Sequence, residues 1–165
     1  MKRTLAAAAP LIIFLLVCTF PLFSGGGAED SGGAVHINAD GHAAQGADVV
    51  AYFDFANGEE AVLGAETYSY LWKGATWLFS SRENLDAFRA SPGTYAPEYG
   101  GYCAWAMARD KLATIDPNMW SIVDSKLYLN YDRRVQDKWL GDMREEINKA
   151  DEYWPAWSEK LSSAQ

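Results

Sequence analysis

The chain is 165 residues long and carries 22 acidic against 14 basic side chains, a formal net charge of −8. That balance repels phosphate backbones and argues against a nucleic-acid partner. With 49% hydrophobic residues and seven tryptophans, the chain has enough apolar surface for one domain with one core and no need of disulfides.

Met1-Lys2-Arg3 is followed by an apolar run from Leu5 to Phe23 and by small residues from Ser24 to Ala28. A charged start, an apolar middle and a small-residue exit predict a signal peptide over residues 1–28. Gly26 and Ala28 suit the −3 and −1 positions of a cleavage site, which places the protein in the periplasm or outside the cell. The competing reading is an uncleaved anchor, the one route by which this chain would hold a membrane, although Pro10 and Pro21 interrupt it. Cys18 suggests a lipid anchor, but Val17 stands where a lipobox requires a small residue. Cleavage removes Lys2 and Arg3 from the 14 basic residues and no acid, so the mature net charge is −10.

Residues 29–46, rich in Gly, Ala, Asp and Ser without apolar period, are expected to be a flexible lead. A domain is expected over residues 47–158, and a tail over 159–165. Residues 68–72 and 76–79, aromatic or β-branched around Lys73-Gly74, predict a β-hairpin. Ser80 or Ser81 then caps a helix carrying Leu85 and Phe88, which Ser91-Pro92-Gly93 stops. A second short helix is expected from Gly100 or Gly101, including Ala104, Ala106, Met107 and Ala108. Residues 120–123 and 127–129 predict a second hairpin around Asp124-Ser125-Lys126. Asn130 or Asp132 caps the longest helix, over 132–150, where Val135, Trp139, Met143 and Ile147 recur every four residues and Trp154-Pro155 is the stop. Two hairpins and segregated helices indicate an α+β fold.

Cys103 is the sole cysteine after the signal segment. It follows Gly100-Gly101-Tyr102 at a predicted helix start, where unpaired N–H groups favour a thiolate. Met107, four residues on, would share its helix face. Thiolate plus thioether is a soft pair suited to copper. His36 and His42, the only histidines, lie in the expected lead and would complete a metal site. The competing reading makes Cys103 and Met107 core residues and leaves both histidines in solvent. Tyr95, Tyr99, Tyr102, Trp105, Trp120, Tyr128 and Tyr131 suit either a small-ligand pocket or a core. Asp48, Asp116 and Asp124 are available acceptors for buried tyrosine hydroxyls. No P-loop, GxGxxG, GxSxG or HExxH motif is present, and no spacing points to a catalyst.

Several segments together resemble the exported bacterial branch of the YHS-domain family. They are Asp48-Val49-Val50-Ala51-Tyr52-Phe53, Lys73-Gly74-Ala75-Thr76-Trp77, Gly100-Gly101-Tyr102-Cys103-Ala104, Lys126-Leu127-Tyr128-Leu129-Asn130-Tyr131, and Ala150-Asp151 through Trp154-Pro155. The resemblance covers residues 46–157 and implies a hairpin-plus-helix unit similar to metal-binding TRASH modules. Where metal-binding relatives carry two cysteines and a histidine, this chain has Ser80, Asn84 and Trp72. The expectation is an exported binding module for a soft metal ion, copper, or a small ligand near Cys103. The alternatives are a ligand-free structural or interaction domain, and a thiol-dependent redox protein.

Overall fold

A computed structural model describes residues 33–56 and 58–164. The expected signal segment, and residues 29–32 of the expected lead, lie outside the described residues. The fold is α+β, as the segregated pattern predicts. Strands β1 (Ala65–Trp72) and β2 (Ala75–Phe79) form an antiparallel hairpin. Its two turn residues, Lys73 and Gly74, both have positive φ, 52° and 71°, the type I′ geometry that matches strand twist. Strands β3 (Asp116–Val123) and β4 (Lys126–Asn130) form the second hairpin around Asp124 and Ser125, at φ 50° and 62°. Between the hairpins lie α1 (Arg82–Ala90), α2 (Pro92–Tyr95) and α3 (Ala104–Met107). Helices α4 (Arg133–Gly141) and α5 (Met143–Ser162) follow β4. Among the described residues no helix is long and apolar enough to cross a membrane.

The caps follow the sequence chemistry. Ser81 Oγ accepts from the Asn84 amide at 3.1 Å, and Asp132 Oδ1 accepts from the Val135 amide at 2.7 Å. Each satisfies a donor that a helix start leaves unpaired.

Three expectations need correction. Residues 33–46 are not a flexible lead. Gly33 N donates to Lys73 O, Ala43 N to Thr76 O and Thr76 N to Gly41 O, so the segment covers the free edge of β2 and buries Ala34, Val35, Ala43 and Ala44. Small side chains, read as a sign of mobility, are what lets this backbone lie so close. Secondly, the single helix over 132–150 is two. Asp142, at φ −142° and ψ 42°, separates α4 from α5. Val135 packs on one apolar cluster, whereas Met143 and Ile147 pack on another. Thirdly, Pro155 lies inside α5, which runs on through Ser162 into the expected tail. Trp154 packs against Tyr99, with centroids 6.1 Å apart, and Trp157 Nε1 donates to Asp110 Oδ1 at 2.8 Å. These contacts on both sides of the proline offset its backbone cost of about 3 kcal/mol.

Strand β4 links the two clusters through the period-2 alternation of a strand. Leu127 and Leu129 enter the cluster around Trp77, Phe79, Phe88 and Trp120. Tyr128 enters the cluster around Tyr99, Met107 and Trp139.

Candidate functional site

Cys103 is the residue before α3, a helix of only four residues. Its side chain is 1% exposed, and Sγ donates to Asn130 Oδ1 at 3.7 Å. The same oxygen accepts from the Trp105 amide at 3.2 Å. Burial pushes the thiol up from its ordinary value, against the downward pull of the Ala106, Tyr131 and Trp105 amides. The helix start was expected to favour a thiolate; desolvation outweighs it here.

The four expected ligands are not one donor set. Cys103 belongs to the first cluster, and Met107, fully buried, to the second with Tyr99, Tyr128 and Trp139. The shared helix face therefore does not form. His36 donates its backbone N–H to Gly100 O and sets its ring edge-on to Tyr102 at 4.9 Å. Burial lowers its pKa, and its Nδ1 is buried without a partner. His42 sits on the hairpin, with Nε2 2.9 Å from Glu66 Oε1. Among the described residues no three His, Cys, Asp or Glu side chains converge as a bound ion requires. The residues do not fit a copper ion, which needs several soft or imidazole donors at one point.

Ser80 and Asn84 converge on an aspartate. Asp48 is fully buried, and its Oδ2 accepts from Ser80 N at 2.8 Å, Ser80 Oγ at 2.6 Å and Asn84 Nδ2 at 2.7 Å. Its Oδ1 accepts from the Val50 and Ala51 amides. Five donors on one carboxylate make a complete internal anion site. The expected tyrosine partners differ as well. Tyr52 donates to Pro117 O and Tyr99 to Asp151 Oδ1. Asp116 and Asp124 serve Asn118 and Arg144.

Two concave surfaces stand out. A groove of about 570 Å³ runs between β3 and α4, walled by Ile122, Val123, Leu140 and Met143. The other is a crevice of about 220 Å³ at the turn of the first hairpin. Its lining includes the half-buried Trp72 and Trp154, each packed against a buried aromatic ring, Trp77 at 5.7 Å and Tyr99 at 6.1 Å between centroids. Lys73 and Glu98 bring charge to it. Gly100 allows the close approach of Ala34 and Trp154 at the crevice. Its φ is 59°, and a Cβ there would lie 1.8 Å from Ala34 O and 3.0 Å from Trp154 Cη2, so only glycine lets these three meet. The crevice sets Trp72 and Trp154 beside Lys73 and Glu98, whereas the groove sets its aliphatic side chains beside Asn118, Ser121, Asp124, Arg133 and Gln136. Of the aromatics singled out in the sequence only Tyr99 lines the crevice. The sequence pattern places Trp72 and Trp77 in strands and Trp154 at a helix stop, and no spacing links them.

No protein-family model, no curated protein and no solved structure matches this chain.

Proposed function

We propose that this protein is an exported, YHS-like binding module that holds a small ligand in the crevice beside Trp72 and Trp154, with Cys103 as part of the core. The observation that carries the reading is the crevice itself: the half-buried Trp72 and Trp154 with Lys73 and Glu98 around about 220 Å³. Cys103 supports it from the other side. A thiol 1% exposed, with burial pushing it towards the protonated form, is poorly placed to ligate a metal or attack a substrate. The module holds its ligand and does no chemistry on it. The ionisable groups in the crevice are Lys73, Glu98 and Tyr99, and the Tyr99 hydroxyl is already given to Asp151.

A thermal-shift screen of the purified chain against a panel of small metabolites tests the reading. A compound should raise the midpoint of the natural protein and leave Trp154→Ala unmoved, while iodoacetamide fails to label Cys103 in both. No shift across the panel, with the thiol still inert, would transfer the protein to the ligand-free interaction class. A thiol that reacts at once in the folded protein would reinstate Cys103 as a functional group.

A further inference from the structure

We propose that the groove between β3 and α4 is a docking site for an extended peptide, which adds to the free edge of β3 and lays an aromatic side chain against α4. The molecule itself carries the template for this. Strands β1 and β2 and helix α1 begin at residues 65, 75 and 82; β3, β4 and α4 begin at 116, 126 and 133, a constant offset of 51 residues. The paired elements match in length. Both hairpins break register at the same place, between Ala65 and Ser69 and between Asp116 and Trp120. Both helices are capped by the side chain just before them, Ser81 or Asp132. The chain therefore holds two equivalent hairpin-and-helix units.

The units differ in what fills the space between hairpin and helix. In the first, Tyr68, Tyr70 and Trp72 share one face of β1. The rings of Tyr70 and Trp72 lie 6.3 and 5.6 Å from Phe88, and Arg82 and Arg89 lie over Tyr68 and Tyr70 at 6.0 and 5.6 Å. At the offset of 51 residues the three aromatics become Met119, Ser121 and Val123, and the two arginines become Arg133 and Leu140. The second unit thus has no ring where the first has three, and the groove of about 570 Å³ lies there, with Ser121, Val123, Arg133 and Leu140 in its lining. Leu140 is 47% exposed. Arg133 has neither ring nor carboxylate: among the described residues its side chain bonds to Gln136 Oε1 alone, at 3.3 Å. A cation without a partner suits the face of an incoming ring, as Arg82 suits Tyr68.

The choice of a peptide over a free aromatic compound follows from the strand edge. The two-residue turn at Asp124 and Ser125 makes Val123 with Lys126, and Ser121 with Tyr128, the pairs that exchange backbone bonds. The N–H and C=O groups of Trp120 and Ile122 then point away from β4. Gln136 Nε2 meets the Trp120 carbonyl there at 2.8 Å; among the described residues no strand pairs with Ile122 on that side. The free edge of β2, by contrast, is covered by residues 33–46. An open edge accepts an added strand, and every second side chain of that strand would face α4. A second copy of this chain, paired through the same edge, would bring only Ser121 and Val123 to the groove and leave the ring positions empty.

The experiment is calorimetry on the purified chain with the blocked pentapeptide acetyl-Thr-Val-Tyr-Val-Thr-amide. It should bind saturably with a Kd of about 100 μM or tighter. Replacing its tyrosine by alanine should weaken it about tenfold. Of two analogues N-methylated at the tyrosine or at the valine after it, one should lose about tenfold and the other little, because alternate amides face the edge. In the protein, Leu140→Ala and Arg133→Gln should each weaken binding about fivefold. Ser121→Tyr, which installs the ring of the first unit, should abolish it. Should Ser121→Tyr fail to fold, Leu140→Ala still decides, because that side chain is half in solvent. Glu98→Gln, at the crevice, should bind as the natural protein does. Silence up to about 1 mM peptide would overturn the proposal. Equal affinity of both N-methyl analogues and the parent would overturn strand addition, and N-acetyltyrosinamide binding as tightly as the pentapeptide would give the groove to a small aromatic compound instead. Binding indifferent to Leu140→Ala and Arg133→Gln would overturn the assignment to this groove. Self-association of the chain that Leu140→Ala abolishes would give the groove to a second copy.

Discussion

The Cys103 thiol donates to Oδ1 of Asn130 across 3.7 Å, tying the start of α3 to the last residue of β4. Both residues are sealed from solvent, at 1% and 0% exposure. The contact therefore reports on the protonation of the thiol: a thiolate has no hydrogen to give, and it would face a carbonyl oxygen.

From this the pH dependence follows. Burial raises the thiol above its ordinary value, so the folded state keeps its proton at a pH where the unfolded chain has lost it. The stabilisation is fully present below about pH 9 and is lost as pH rises through the folded pKa. Urea midpoints of the natural protein and of Cys103→Ala, followed from neutral pH to about pH 10.5, should converge as the pH climbs. Parallel curves would refute the burial of the thiol as the cause.

Asp48→Ala should cost about 3–5 kcal/mol, because it strands five donors around a fully buried position. Asn84→Ala should cost about 1–2 kcal/mol. In the double variant the Asn84 change should add almost nothing, since its partner is already gone. Additive penalties in chemical denaturation would mean that the two do not interact.

Trp139 is fully buried among Tyr128, Met107 and Ala150, and Trp139→Ala should cost about 3–5 kcal/mol. Its Nε1 is buried without a partner, so Trp139→Phe, which removes that donor and keeps a ring, should recover most of the loss. An equal penalty for Phe and Ala would show that indole shape, and not ring burial, holds the site.

Gly100→Ala should destabilise by at least about 2 kcal/mol, combining left-handed strain with a backbone clash. The clash is with Ala34 O, so the damage should be local. Amide exchange should quicken at Val35 and His36 and stay slow in β3 and β4. Uniform acceleration would place Gly100 in the global fold instead.

The local chemistry was legible in the sequence. Both hairpins, the Ser81 and Asp132 caps and the burial of Trp139 follow from turn residues, capping side chains and a four-residue period. The break at Asp142 was hidden because Trp139 and Met143 keep that period while belonging to different helices. Pro155 misled for a similar reason: its cost is local, and the packing of Trp154 and Trp157 that offsets it is tertiary. The candidate site was hardly legible at all. Cys103, Met107, His36 and His42 stand out by residue type, yet type carries no information on which cluster each will enter. The crevice draws Trp72, Tyr99 and Trp154 from a strand, a short 3-10 turn and a late helix, and no one-dimensional spacing connects them.

Ala34 and Val35 line the crevice beside Trp154 and Ser158, so the earliest and latest parts of the described domain share one small surface. Connectivity there is interchangeable with a tether. A circular permutant of residues 33–164 with new ends at the exposed Asp124–Ser125 turn, and a Gly/Ser linker joining Gly33 to the end of α5, should fold and keep the crevice. Trimming back past Val35, or from the other side past Trp154, should instead open the same site from opposite directions.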